Sequence, residues 1–158
     1  MVDYDPLGHH VWATRTLLDF CARLTPEQRG LTSPGTYGPI DQTLAHAVGA
    51  DEYYLYLLTG DRPARPLEPR AIVDFADLVV RADRNAGLIR GLSSSQRDTS
   101  AVTPVKRGDA PISVGMVLAQ IVHHGNEHRG QVRTILGANG IAAPDVSGWA
   151  YGGQKETW

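Results

Sequence analysis

The sequence predicts an all-α protein, a single four-helix bundle occupying residues 1–158. Three observations carry that prediction. Apolar residues recur at three- and four-residue spacing in four separate segments, no segment shows clean strand alternation, and glycine and proline gather between the segments. A chain of 158 residues can bury one sizeable core and not a second. Its 42% hydrophobic and 20% charged content is that of an ordinary soluble globular domain.

The first helix opens at Asp5 and Pro6, an N-cap followed by proline at the first helical position, and runs to about residue 24 with Leu7, Val11, Leu18, Cys21 and Leu24 on its apolar stripe. Thr25 and Gln28 then read as a capping box around Pro26, so a short helical turn is expected. "GLTSPGTYGP" is loop by composition. The second long helix spans about Ile40 to Leu58 and stops before Gly60, which adopts a left-handed C-cap at little cost. A proline-rich connection, "GDRPARPLEPR", leads to the third, roughly Ala71 to Leu92, whose stripe is Ile72, Phe75, Val79, Ala82, Ala86 and Ile89. Residues 93 to 111 are irregular, with "AVTPV" suited to a short extended piece. Ser113 caps the fourth long helix, which reaches about Leu136 and ends in "GANG". "WAYGGQKETW" reads as a C-terminal tail whose order the sequence does not fix.

A net charge of −2, with basic residues scattered singly, argues against nucleic-acid binding by charge attraction. The single cysteine, Cys21, cannot form an internal disulfide and fits a small buried hydrophobe in a reducing compartment. The start "MVDYDPLGHHVW" lacks the regions of a signal peptide, and no apolar run approaches membrane-spanning length. A cytoplasmic location is expected.

Chemistry concentrates in "IVHHGNEHRGQV", residues 121 to 132. At about 100° per residue, His124 and His128 lie about 40° apart, one turn above the other, and can aim both imidazoles at one ion. His123 lies about 100° from His124 and about 140° from His128, so it is excluded from the pair and reads as solvated or as a residue behind the ligands. The spacing alone is weak, since six histidines yield roughly 0.2 such pairs by chance in a chain of this length. Three further features strengthen it. The pair shares a face with Val117, Ile121 and Ile135, so its rings point toward the core, where imidazoles need partners. Gly125 and Gly130 interrupt the helix interior at about 0.8–1 kcal/mol each against alanine, which suggests clearance around a site or, equally for each glycine taken alone, tight helix packing. The second long helix supplies His46, in "TLAHAVGADEYY", with small Gly49 and Ala50 one turn on to leave space beside the ring. Alone, His46 would more often be a hydrogen-bonded core histidine; facing an inward pair, it is the natural third ligand.

Three neutral imidazoles leave a coordination position for water or substrate, whereas structural zinc sites are usually closed by four protein ligands. Glu52 or a tail residue would be the fourth ligand if the site were closed. Imidazole ligation suits a divalent ion, zinc or nickel first, with copper, iron or manganese behind.

Residues around the trio are weighed in the same way. Gln131 falls within about 20° of His124 and could orient a ligand, but a helix-helix hydrogen bond is the commoner role for such a glutamine. Arg129 points off that face and reads as a structural ion-pairing residue before an anion binder. Tyr53 and Trp12 could line a pocket, though aromatics at helical spacing usually pack in the core. His9 and His10 could stand behind the ligands and support them, but solvated is the preferred reading for both. No catalytic residue is assigned.

The segments "HHVWATRTLLDFCARLTPEQ", "YGPIDQTLAHAVGADEYYLYLLTG" and "IVHHGNEHRGQVRTILGANG" together resemble the DinB family, the DinB and YfiT-like metalloenzyme group, along essentially the whole chain. The most specific part is "HGNEHRGQ" combined with a histidine in the second long helix. The resemblance implies an up-down-down-up bundle, commonly homodimeric, holding a divalent metal through His46, His124 and His128. It also implies a small-molecule substrate. Some relatives are transferases or isomerases using a low-molecular-weight thiol, in which the metal makes the thiolate a nucleophile at neutral pH. A metal-dependent hydrolase is the leading variant, and a non-catalytic metal-binding or dimerisation module of the damage-inducible, stress-response type is the alternative from another class. His124, Glu127 and His128 also spell the HxxEH pattern of inverzincin proteases. No distant acidic ligand or mixed sheet accompanies it, and Glu127 lies about 100° from His128 toward solvent, so that reading is set aside.

Overall fold

A computed structural model describes residues 4–67, 74–93 and 97–155. Six helices follow in order: α1 (Pro6–Cys21), α2 (Pro26–Arg29), α3 (Ile40–Thr59), α4 (Phe75–Ser93), α5 (Val114–Ala138) and α6 (Gly148–Lys155). No strand is formed among the described residues, so the fold is all-α as the sequence predicts.

The local signals act where the sequence places them. Asp5 accepts from the Gly8 backbone amide at 2.9 Å, and Pro6 occupies the first turn of α1. Thr25 and Gln28 form the reciprocal capping box of α2, with bonds of 3.2 and 2.9 Å. Gly60 sits at φ 81° and closes α3, and the Ser113 hydroxyl accepts from the Met116 amide to start α5. Two boundaries differ from expectation. α1 ends at Cys21 rather than near residue 24, because Arg23 and Leu24 turn back onto the carbonyls of Phe20 and Cys21 in tighter turns before Pro26. α5 continues to Ala138, and Gly140 rather than Gly137 takes the left-handed conformation. The expected start of the third long helix at Ala71, and its stripe residue Ile72, lie outside the described residues. Between α4 and α5, Val102 pairs with Ser113 and Arg107 with Ala110 as isolated antiparallel bridges, the most that "AVTPV" achieves.

The described part of the tail lies within α6 (Gly148–Lys155), which packs on α1. His9 anchors it: Nε2 donates to the Val146 carbonyl at 2.8 Å, Nδ1 accepts from the Tyr4 hydroxyl at 2.6 Å, and the ring packs beside Trp12 and Tyr151. Gly8 leaves the room that the Tyr151 hydroxyl fills. Thus His9 is not simply solvated, and Trp12 belongs to this aromatic group rather than to a pocket.

Four long helices form the bundle, with α3 packed on α4 and α5, and α1 likewise on α4 and α5. The core divides into two apolar clusters. One joins Leu17, Leu18 and Cys21 with Leu44 and Val48, Leu78 and Ala82, and Val132, Ile135 and Leu136. The other joins Val11 with Leu55, Leu57 and Leu58, Ile89 and Leu92, and Val117 and Ile121. Late α1 therefore shares a cluster with early α3, early α4 and late α5. Cys21 is fully buried, and burial pushes its thiol up to about 12, so it is a packing residue.

Between the two clusters lies a buried polar layer. His10, Thr14, Asp51, Asn85 and Arg129 are all at most 9% exposed, and each finds a partner. The Arg129 Nη1 group donates to His10 Nδ1 at 3.0 Å and to the Thr14 hydroxyl at 2.9 Å. Because His10 Nδ1 accepts, its Nε2 carries the proton and donates to Asp51 Oδ2 at 2.9 Å. His10, expected to be solvated, thus relays a guanidinium to a carboxylate. Burial pushes Arg129 down to about 10, with Asp51 opposing the shift, so it remains charged at neutral pH.

Candidate metal centre

α3 and α5 bring His46, His124 and His128 together, with one ligand atom from each lying within 4.8 Å of the others. His124 Nε2 is 3.2 Å from His46 Nε2 and 3.2 Å from His128 Nε2. Ring nitrogens bound to one ion at about 2.0–2.1 Å stand roughly 2.8 to 3.4 Å apart for octahedral to tetrahedral angles. The observed spacing falls inside that window, so the three side chains could hold a metal ion.

Proton bookkeeping supports the same conclusion. The Gln131 amide is oriented by the Tyr37 backbone N–H, which donates to its Oε1 at 3.1 Å. That oxygen can only accept, so the 2.9 Å contact with His128 Nδ1 places the His128 proton on Nδ1. Neutral His128 then presents a bare Nε2 lone pair to the centre of the trio. Gln131 therefore orients a candidate ligand, the role ranked second from sequence, and no helical-wheel argument could have found Tyr37 as its partner.

Burial lowers the His46 pKa, with His128 adding to the shift. Burial, followed by His128 and His46, brings His124 down to about 4. These imidazoles are unprotonated at neutral pH, the state a metal requires. The Tyr37 ring stacks on His46 at 4.2 Å between centroids, and Tyr54 meets His124 edge-on at 5.7 Å, fixing both rings.

The remaining candidates separate clearly. His123 and Glu127 are exposed, as their helical angles require. Glu52 is buried but engaged, with Oε1 3.0 Å from Arg81 Nη1, and it is not part of the trio. The glycine reading needs correction. A Cβ on Gly125 would strike the His10 ring, 2.5 Å from Nδ1, so this glycine admits the polar layer behind the site rather than a ligand. A Cβ on Gly130 would meet nothing within 4 Å, and the structure gives no reason for that glycine. Gly49 makes room for Leu67, 3.0 Å from its would-be Cβ, rather than for the His46 ring.

His46 and His124 open onto a cleft of about 1470 Å³ between α3, the segment before α4 and the start of α5. Tyr53, Tyr54, Gln120, Arg62 and Arg107 supply its polar groups, and Leu57, Leu67 and Val117 part of its apolar wall. Tyr53, 41% exposed, is thus a cleft residue and not a core aromatic.

Fold and site together define an all-α bundle with a three-histidine group between two of its helices. The chain belongs to the DinB family, which it matches over residues 3–156. Its fold is shared with the crystal structure of a DinB-like protein from Bacillus cereus ATCC 10987, at a TM-score of 0.60 and 19% identity, covering 88% of this chain and 91% of that one. No curated protein matches the sequence significantly. No helix among the described residues is long and apolar enough to cross a membrane.

Proposed function

We propose that this chain binds one divalent metal ion through the Nε2 atoms of His46, His124 and His128 and uses it in a transferase reaction on a small molecule, with a low-molecular-weight thiol as nucleophile. The observation that carries this reading is the convergence of three imidazole Nε2 atoms at the wall of a large cleft, with no fourth protein ligand in the group among the described residues. When bound, the metal supplies Lewis acidity that holds a thiolate at neutral pH. Every other contribution belongs to the chain. Gln131 holds His128 in the tautomer that leaves Nε2 free. Tyr37 and Tyr54 restrain the rings of His46 and His124. Arg62 and Arg107, in the cleft wall, favour a substrate bearing a carboxylate or phosphate group.

Protein purified without an affinity tag should contain about one divalent ion per chain. That ion should be lost in His46→Ala, His124→Ala and His128→Ala and kept in His123→Ala. Incubating loaded and stripped protein with thiols and electrophiles should give turnover only in the loaded form. Turnover of an ester or amide without thiol would instead support the hydrolase, and retained metal in His124→Ala would refute the site.

A further inference from the structure

His124 has two ring nitrogens with different surroundings. Nε2 faces His46 and His128, whereas Nδ1 is buried and makes no hydrogen bond with any described residue. If Nε2 offers its lone pair, Nδ1 must carry the proton, and a buried N–H without an acceptor costs about 1–3 kcal/mol. The position next to His124 in sequence, Gly125, is the one whose close approach admits His10. His10 in turn holds Asp51 through Oδ2 alone. The other carboxylate oxygen, Asp51 Oδ1, is also buried and also lacks a partner. Asp51 thus leaves a buried acceptor unused and His124 leaves Nδ1 unused, and α3 and α5, which carry them, pack directly together.

Resting on the metal reading above, we propose that Asp51 is the positioning carboxylate of His124, its Oδ1 accepting the hydrogen bond of Nδ1–H, directly or through one water, when Nε2 holds an ion. Supporting the placement, Tyr54 lies three residues after Asp51 on α3, and its ring touches His124 edge-on, so that turn of α3 packs against the His124 side chain. The arrangement completes a chain of hydrogen bonds that crosses the bundle: Arg129 on α5 donates to His10 on α1, His10 donates to Asp51 on α3, and Asp51 receives from His124 on α5. A carboxylate behind a metal-binding imidazole fixes its orientation and raises its basicity.

The test compares zinc affinity, by competition with a chelator, in the full-length wild type, Asp51→Asn and His10→Gln, alongside the unfolding midpoint of each metal-free protein. Asp51→Asn should weaken zinc binding about 10- to 100-fold. His10→Gln disturbs the same polar layer but leaves Asp51 Oδ1 available, and it should stay within about threefold of wild type. Equal affinity in Asp51→Asn and wild type, or an equal loss in His10→Gln, would overturn the proposal. Should Asp51→Asn fail to fold, a zinc-loaded crystal structure of the wild type decides. A carboxylate oxygen of Asp51 within about 3.2 Å of His124 Nδ1, or one water bonded to both, supports the assignment, and a different acceptor on Nδ1 overturns it. Wild type that takes up no zinc or nickel overturns the metal reading and this inference with it. Wild type that binds while Asp51→Asn binds equally overturns the inference alone.

Discussion

His128 Nδ1–H donates to Gln131 Oε1 at 2.9 Å, and the same oxygen receives the Tyr37 backbone amide at 3.1 Å. The loop before α3 thereby sets the tautomer of a histidine on α5. Removing the glutamine leaves the His128 proton free to move to Nε2, where it competes with a metal. Gln131→Ala should lower zinc or nickel affinity by about 10- to 100-fold while His123→Ala changes nothing. Chelator competition on both variants measures this, and unchanged affinity in Gln131→Ala would show that His128 needs no such partner.

The two glycines of the histidine helix should respond in opposite directions. Gly125→Ala places a methyl group against the His10 ring and close to Arg129 Nη1, inside a layer whose charges depend on fixed geometry. It should cost about 1–3 kcal/mol, the range for overpacking a close-packed interior, despite the better helix propensity of alanine. Gly130→Ala meets open space on an exposed face, and it should stabilise the protein by about 0.5–1 kcal/mol. Denaturant titration of both variants decides, and a Gly125→Ala protein as stable as wild type would mean that His10 moves aside freely.

The contrast between those glycines shows what was legible in the sequence. Periodicity and capping residues act locally, so the four long helices, the cap at Ser113 and the left-handed Gly60 could be read directly. The angle between His124 and His128 is a property of one helix and was readable for the same reason. The burial of His10 was not. An imidazole next to another histidine at the start of a helix carries no local sign that Arg129, 119 positions away, and Asp51 will enclose it. The helix at Gly148–Lys155 was missed because its glycine content is poor for an isolated helix; its packing on α1 includes Tyr151, which fits against Gly8. The 78 positions separating His46 from His124 were bridged only by supposing a bundle, and the packing of α3 on α5 is what brings the two rings together.

The metal-free protein should lose stability as the pH falls from about 6.5 toward 4. In the unfolded chain a histidine titrates near 6.5, whereas burial and the neighbouring imidazoles bring His124 down to about 4 in the folded chain. Between those values the unfolded state binds more protons, so acid favours unfolding across that window, and below both values the contribution no longer changes. His46, also lowered by burial, adds to the effect in the same direction. Urea midpoints of stripped protein at steps from pH 7.5 to 4.5 test this. The decline should be reduced in His124→Phe, which removes the titrating group while retaining a ring. An equal decline in wild type and His124→Phe would place the acid sensitivity elsewhere in the chain.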